Sequence, residues 1–159
     1  MARLYGRSPE GQRAYGIRPY QKGNNVTIIG ALSYQGIEAA MSIEGYMDGD
    51  CFLEYVRQVL GPKLKPENVV VIDNLSCHTV PGIREAIEAT GSRLLFLPPY
   101  SPEFSPIELC WSKVKSLLRH FTCRSYELLD QGITVALGGI TPFDAVAWFK
   151  HCGYCIQNE

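Results

Sequence analysis

No apolar run in this 159-residue chain approaches the roughly 20 residues that a membrane-crossing helix needs. The N-terminus, MARLYGRSPEG, lacks the apolar stretch of a signal peptide. Both absences point to a cytoplasmic protein. The glycine patterns of phosphate loops and dinucleotide folds are missing, which removes the common nucleotide-binding classes. There is no internal repeat and no low-complexity tract. The six cysteines, at 51, 77, 110, 123, 152 and 155, are irregularly spaced, so free thiols are expected rather than a disulfide framework. Net charge is only -1, so composition argues neither for nor against a nucleic-acid partner.

What is present is a hydrophobic fraction of 46%, enough for a real core in one domain. The charges are segregated. Residues 1–25 carry Arg3, Arg7, Arg13, Arg18 and Lys22 against the single Glu10. Residues 38–54 carry Glu38, Glu44, Asp48, Asp50 and Glu54 with no basic residue. Lys113, Lys115, Arg119 and Arg124 then follow. Such segregation hides a basic face behind a neutral total; the plainer alternative is a solvated surface of mixed charge.

Residues 1–25 read as an extended basic arm. VTIIGALS, residues 26–33, is a strand by its β-branched run, and residues 37–43 form the return strand of a hairpin after a turn at Gln35-Gly36. Residues 50–60 place Phe52, Val56, Val59 and Leu60 on one helix face, with Asp50 as a possible N-cap. NVVVI, residues 68–72, is continuously apolar, the mark of a strand covered on both faces in a parallel sheet. A helix over 82–90 and a strand over 93–97 complete a strand–helix–strand unit. Helices follow at about 106–120, 124–138 and 142–149, and residues 151–159 form a tail.

Two carboxylates stand out. Asp73 directly follows the apolar strand, where open α/β sheets place their ligands; an Asx-turn or a helix cap would explain it equally well. Glu108 lies in Ser105-Pro106-Ile107-Glu108, which fits a capping box with proline in the first helical position. It also lies beside the apolar stripe of Ile107, Trp111, Val114, Leu118 and Phe121, with no basic residue three or four positions along to neutralise it. Gathered carboxylates repel one another and are relieved by hard cations with oxygen ligands. Two such cations about 4 Å apart can activate water or a 3′-hydroxyl and stabilise the leaving oxygen of a phosphodiester.

The string LPPYSPEFSPIE, Asp73-Asn74 with His78, and Glu108 with Trp111 and Lys115 resemble the catalytic domain of DDE transposases of the mariner-like bacterial insertion-sequence superfamily, the DDE superfamily endonucleases. Thirty-four residues separate Asp73 from Glu108, as is common for the second and third carboxylates of that family. RLYGRSPEG, NNVTIIGALS and WFKHCGY extend the likeness over nearly the whole chain. It implies an α/β, ribonuclease H-like fold, a mixed sheet flanked by helices over residues 26–150. It implies Mg2+ or Mn2+, two ions in an intact site, held by Asp73 and Glu108, and strand cleavage and transfer on DNA. Asn74 and His78 become site neighbours. The basic arm together with Lys113, Lys115 and Arg119 become DNA contacts, and Trp111 becomes support for its helix.

The resemblance breaks in two places. The family's first catalytic Asp and its central strand precede the segment that resembles residues 3–11, and Asp48 and Asp50 do not match them. The helix-turn-helix DNA-recognition region is not seen either. A truncated domain missing the usual first central strand is therefore expected, inactive by itself and weakly stable. Self-association, or complementation by an upstream transposase fragment, would follow from the open strand edges. Alternatives are a catalytically dead DNA-binding or protein-interaction remnant and a different ribonuclease H-like nuclease. A zinc site from His120, Cys123, Cys152 and Cys155 is a lesser alternative. A thiol nucleophile at Cys77 is disfavoured, because adjacent residues do not easily form the required bond with His78.

Overall fold

A computed structural model describes residues 7–15, 25–121 and 125–155. The expectations for Arg3, Arg18, Lys22, Cys123 and Arg124 lie outside these residues. β1, Val26–Ser33, and β2, Gly36–Glu44, form an antiparallel hairpin with a register shift between Ala31 and Leu32. β3, Val69–Ile72, pairs in parallel with β4, Arg93–Phe96. The helices are α1, Gly49–Tyr55; α2, Ile83–Glu88; α3, Pro106–His120; α4, Tyr126–Gly138; and α5, Pro142–His151. The expected order of elements is present.

The hairpin is the centre of the molecule because both of its faces are covered. Ile29 and Ala31 of β1 join Ala39 and Met41 of β2 in a core with Phe52, Tyr55, Val56 and Leu60. Val26, Ile28 and Leu32 point the other way and pack, with Ile37, on Cys110, Val114 and Leu118 of α3 and on Ile133 and Ala136 of α4. Period-two alternation thus feeds two separate cores from one hairpin. On α3 the fully buried line runs through Pro106, Cys110, Val114 and Leu118. The anticipated stripe is therefore displaced: Cys110 is central, whereas Phe121 is exposed at the helix end.

Three local expectations are corrected. Asp48, not Asp50, caps α1, its side chain accepting from the Cys51 N–H at 2.9 Å. The cap needs extended backbone just outside the helix, and Asp48 has it, while Asp50 already lies within the first turn. The helix expected over 50–60 becomes π-helical at Val56–Leu60, which still turns Val56 and Leu60 into the core. The third correction concerns β3. Val70 and Ile72 face the core with Leu94, Phe96, Ile83 and Ile87. Val69 and Val71, however, are 43% and 39% exposed, and Leu95 opposite Val71 is 50% exposed. This sheet is covered on one face only. Among the described residues no strand bonds to the free edge of either β1 or β3, so two two-stranded sheets stand in place of one mixed sheet.

Trp111 fastens α3 to the hairpin. A Cβ placed on Gly30 would come within 2.9 Å of the Trp111 ring and 3.4 Å of the Ala39 carbonyl oxygen. Only glycine lets the indole lie this close to the β1 backbone. Gly30→Val should therefore cost about 1–3 kcal/mol of stability by overpacking, read as a lower denaturant midpoint at unchanged slope; an unchanged midpoint would show that Trp111 does not depend on that space.

Candidate metal and nucleic-acid site

Asp73 is the first residue beyond β3, and the chain is pinned around it. The Leu97 N–H donates to the Ile72 carbonyl at 2.8 Å, extending the parallel pairing past both strands. The Asn74 amide donates to the Leu97 carbonyl, tying the two strand ends together. Asp73 Oδ1 accepts from the Leu75 N–H at 3.1 Å, so the Asx-turn is real. The same oxygen pairs with His78 Nδ1 at 2.6 Å. His78 stands on a single 3₁₀ turn, Ser76–His78, with its ring 4.2 Å from that of Phe52 on α1. The Asp73 side chain remains 45% exposed, whereas that of His78 is 15% exposed.

Glu108 sits in the first turn of α3. The capping box does not form: Ser105 makes no side-chain cap bond, and only the main-chain Glu108 N–H donates to the Ser105 carbonyl, at 3.1 Å. The Glu108 carboxylate is exposed and has no hydrogen bond or ion pair among the described residues. The alternative that made Glu108 a structural cap is thereby removed. The Pro-rich connection before it is held from the far end of the chain, where the Tyr154 hydroxyl donates to the Phe104 carbonyl at 2.8 Å. In that connection Tyr100 is fully exposed and has φ 56°, in the left-handed region that a bulky side chain rarely adopts.

The basic residues differ in what they have left to offer. Lys113 Nζ donates to Asp144 Oδ2 at 2.6 Å. Asp144 also accepts from the Thr141 N–H and hydroxyl at 2.9 and 2.6 Å, forming the capping box of α5. Lys113 is thus a strut between α3 and α5, a role the sequence reading missed because its partner lies 31 residues away. Lys115 and Arg119 are exposed on the same helix and carry no ion pair among the described residues. Arg7 and Arg13 are exposed in the arm.

Asp73 and Glu108 are hard oxygen donors of the kind Mg2+ and Mn2+ prefer. They fit such an ion in kind and not in number: no cluster of three or more His, Cys, Asp or Glu side chains forms among the described residues. The zinc alternative gains nothing from His120, Cys152 and Cys155 for the same reason. The Cys77 thiol is pushed up chiefly by burial, which works against a thiolate nucleophile, and His78 is already engaged with Asp73. No single helix among the described residues is long and apolar enough to cross a membrane.

The α/β fold, with small sheets flanked by helices, is of the ribonuclease H-like class by its likeness to solved structures. The chain is similar to the Mos1 mariner paired-end complex with Mn, at 13% identity and a TM-score of 0.72, with 96% of this chain and 47% of that one covered. It is similar to the Mos1 strand transfer complex, at 14% identity and a TM-score of 0.70 over 96% of this chain and 46% of that one. The Mos1 transposase paired-end complex with left transposon end gives 15% identity and a TM-score of 0.66 over the same shares, 96% and 46%. The chain therefore spans less than half the length of these structures. No curated protein sequence matches it. The family model for DDE superfamily endonuclease matches residues 1–130, and the chain belongs to that family. Membership implies the use of a divalent metal.

The Lys113–Asp144 strut has a definite pH dependence. Hydrogen bonds from Lys113 and Thr141 hold the Asp144 carboxyl down from 3.8 to about 2. Because the folded value is depressed, the contribution is complete above about pH 4 and is lost as the pH falls through about 2. Asp144→Asn should cost about 1–2 kcal/mol at neutral pH, solvent screening of Lys113 included. In acid titrations followed by circular dichroism, that difference from the wild-type chain should vanish below the lower pH.

Proposed function

We propose that this chain is the part of a DDE transposase that carries two of three catalytic carboxylates, Asp73 and Glu108, and that it serves DNA strand cleavage and transfer. The observation that carries the reading is a family match over residues 1–130 in a chain whose Glu108 carboxylate has no structural partner among the described residues. Asp73 and Glu108 would hold Mg2+ or Mn2+, two ions once the site is complete, with Asn74 and His78 as neighbours. Such ions activate the attacking oxygen and stabilise the leaving one.

DNA would run over the basic surface next to Glu108. Exposed Lys115 and Arg119 on α3 and exposed Arg7 and Arg13 of the arm favour it; Arg3, Arg18 and Lys22 belong to the same arm by sequence. Lys113, already paired, would contribute less. In this reading residues 1–25 are the arm, 26–150 the catalytic domain and 151–159 the tail. Among the described residues one edge each of β1 and β3 has no strand partner and one face of β3–β4 is exposed, which favours completion by an upstream transposase fragment or by self-association.

The 159-residue chain should give no turnover in a plasmid nicking assay with Mg2+ or Mn2+, because no set of three acidic ligands forms among the described residues. Turnover abolished by Asp73→Ala would overturn that claim. It should nevertheless bind generic DNA with a steep salt dependence. Replacing Lys115 and Arg119 together by Ala should reduce the slope of log K against log salt by about 2, at roughly 0.9 per phosphate contact. An unchanged slope would remove α3 from the DNA surface.

A further inference from the structure

Tyr100 stands at the tip of the connection between β4 and α3, and no contact among the described residues explains its conformation. It is the one non-glycine residue among them with positive φ, 56°. A bulky side chain is disfavoured there, because its Cβ crowds the backbone carbonyl that follows. Such strain persists only where the surrounding structure imposes it. Yet the Tyr100 ring is fully exposed, and neither ring nor hydroxyl has a partner among the described residues. Packing, the ordinary role of an aromatic side chain, is thereby removed as an explanation.

The loop that carries it is held at both ends. At the β4 end the Leu97 N–H donates to the Ile72 carbonyl at 2.8 Å, and the Asn74 amide donates to the Leu97 carbonyl. Around Tyr100 itself the Ser101 hydroxyl donates to the Pro99 carbonyl at 3.3 Å. The next turn, Pro102–Phe104, is closed by the Phe104 N–H on the Ser101 carbonyl at 3.2 Å. The Tyr154 hydroxyl then donates to the Phe104 carbonyl at 2.8 Å. Pro98, Pro99 and Pro102 add fixed φ angles. The loop thus starts against the residues flanking Asp73, ends at the turn carrying Glu108, and shows a bare aromatic ring to solvent between them. A ring on a backbone already ordered meets a flat partner with little further loss of entropy.

We propose that Tyr100 is a base-stacking residue that receives an unpaired nucleobase of DNA on its exposed ring. This rests on the reading of the chain as one that acts on DNA. Every base has a π-face, so the contact tolerates any sequence. Bases inside a duplex are covered by their neighbours, so the ring reaches only a base outside the stack, in a single-stranded overhang or extruded from the helix. Lys115 and Arg119 would attract any DNA through its phosphates. Tyr100 adds a preference for DNA with a base set free.

The test uses the full chain and its Tyr100→Ala, Tyr100→Phe and Tyr100→Gly variants. The probes are DNA duplexes of one generic sequence, with 2-aminopurine either in a short single-stranded overhang or at a paired position. The wild-type chain should quench the overhang probe, leave the paired probe unchanged, and bind the overhang duplex more tightly than a blunt one. Tyr100→Ala should lose the quenching and weaken binding to the overhang duplex about tenfold. Its binding to the blunt duplex, and the dependence on salt, should stay as in the wild type, since no charge is removed. Tyr100→Phe keeps the ring and should restore both signals. Tyr100→Gly should match Tyr100→Ala toward DNA but have the higher denaturant midpoint of the two, because glycine adopts positive φ without strain.

Each failure is distinct. A wild-type chain that binds neither duplex overturns the DNA reading and the inference with it. Salt-dependent binding with no overhang preference and no quenching leaves the DNA reading standing and overturns the stacking role. Quenching and preference that survive Tyr100→Ala also overturn it, since another residue then holds the base. A midpoint for Tyr100→Gly no higher than for Tyr100→Ala removes the strained presentation on which the inference stands.

Discussion

Burial of the β1–β2 hairpin on both faces is the constraint on which the rest depends. One face receives α3, seated through Trp111 against Gly30, and so places Glu108. The other receives α1, whose Phe52 backs His78, which in turn holds Asp73. The two carboxylates are thus referred to opposite faces of the same hairpin through close-packed aromatic side chains. Such interiors transmit small displacements instead of absorbing them. A change in the hairpin would be felt at both carboxylates.

The second sheet is built differently, and the difference bears on function. β3 and β4 are anchored on one face only, and their far face presents Val69, Val71 and Leu95 to solvent. Main-chain groups along one edge of β3 and one edge of β1 have no strand partner among the described residues. Natural proteins rarely leave such edges open. The polar groups near the candidate site are also unevenly committed. Lys113 and Asp144 are spent on holding α3 to α5, and Asn74 on joining two strand ends. Glu108, Lys115 and Arg119 are left over on one helix, and an uncommitted carboxylate beside uncommitted cations has no structural explanation within the described residues.

Much of this was legible in the residues. β-branched and alternating runs marked the strands, proline and glycine marked the breaks, and the resemblance in PPYSPEFSPIE, with the Asp73–Glu108 spacing, pointed to the family that the comparisons then established. Whether Glu108 caps its helix was not legible, because Ser105-Pro106-Ile107-Glu108 satisfies the capping pattern whether or not the bond is made. The exposed face of β3 was misread for a related reason: VVVI looks the same whether one face is covered or two.

The chain's own order of residues determined the elements and their sequence, since those follow from local periodicity and turn chemistry, and its resemblance to a family singled out the two carboxylates. Tertiary structure alone decided which oxygen of Asp73 is occupied, which lysine is spent and which sheet face is left bare. Each of these depends on partners remote in sequence, Phe52 for His78, Asp144 for Lys113 and the helix layer for β3, and on a competition for hydrogen bonds and apolar contact that no single segment encodes.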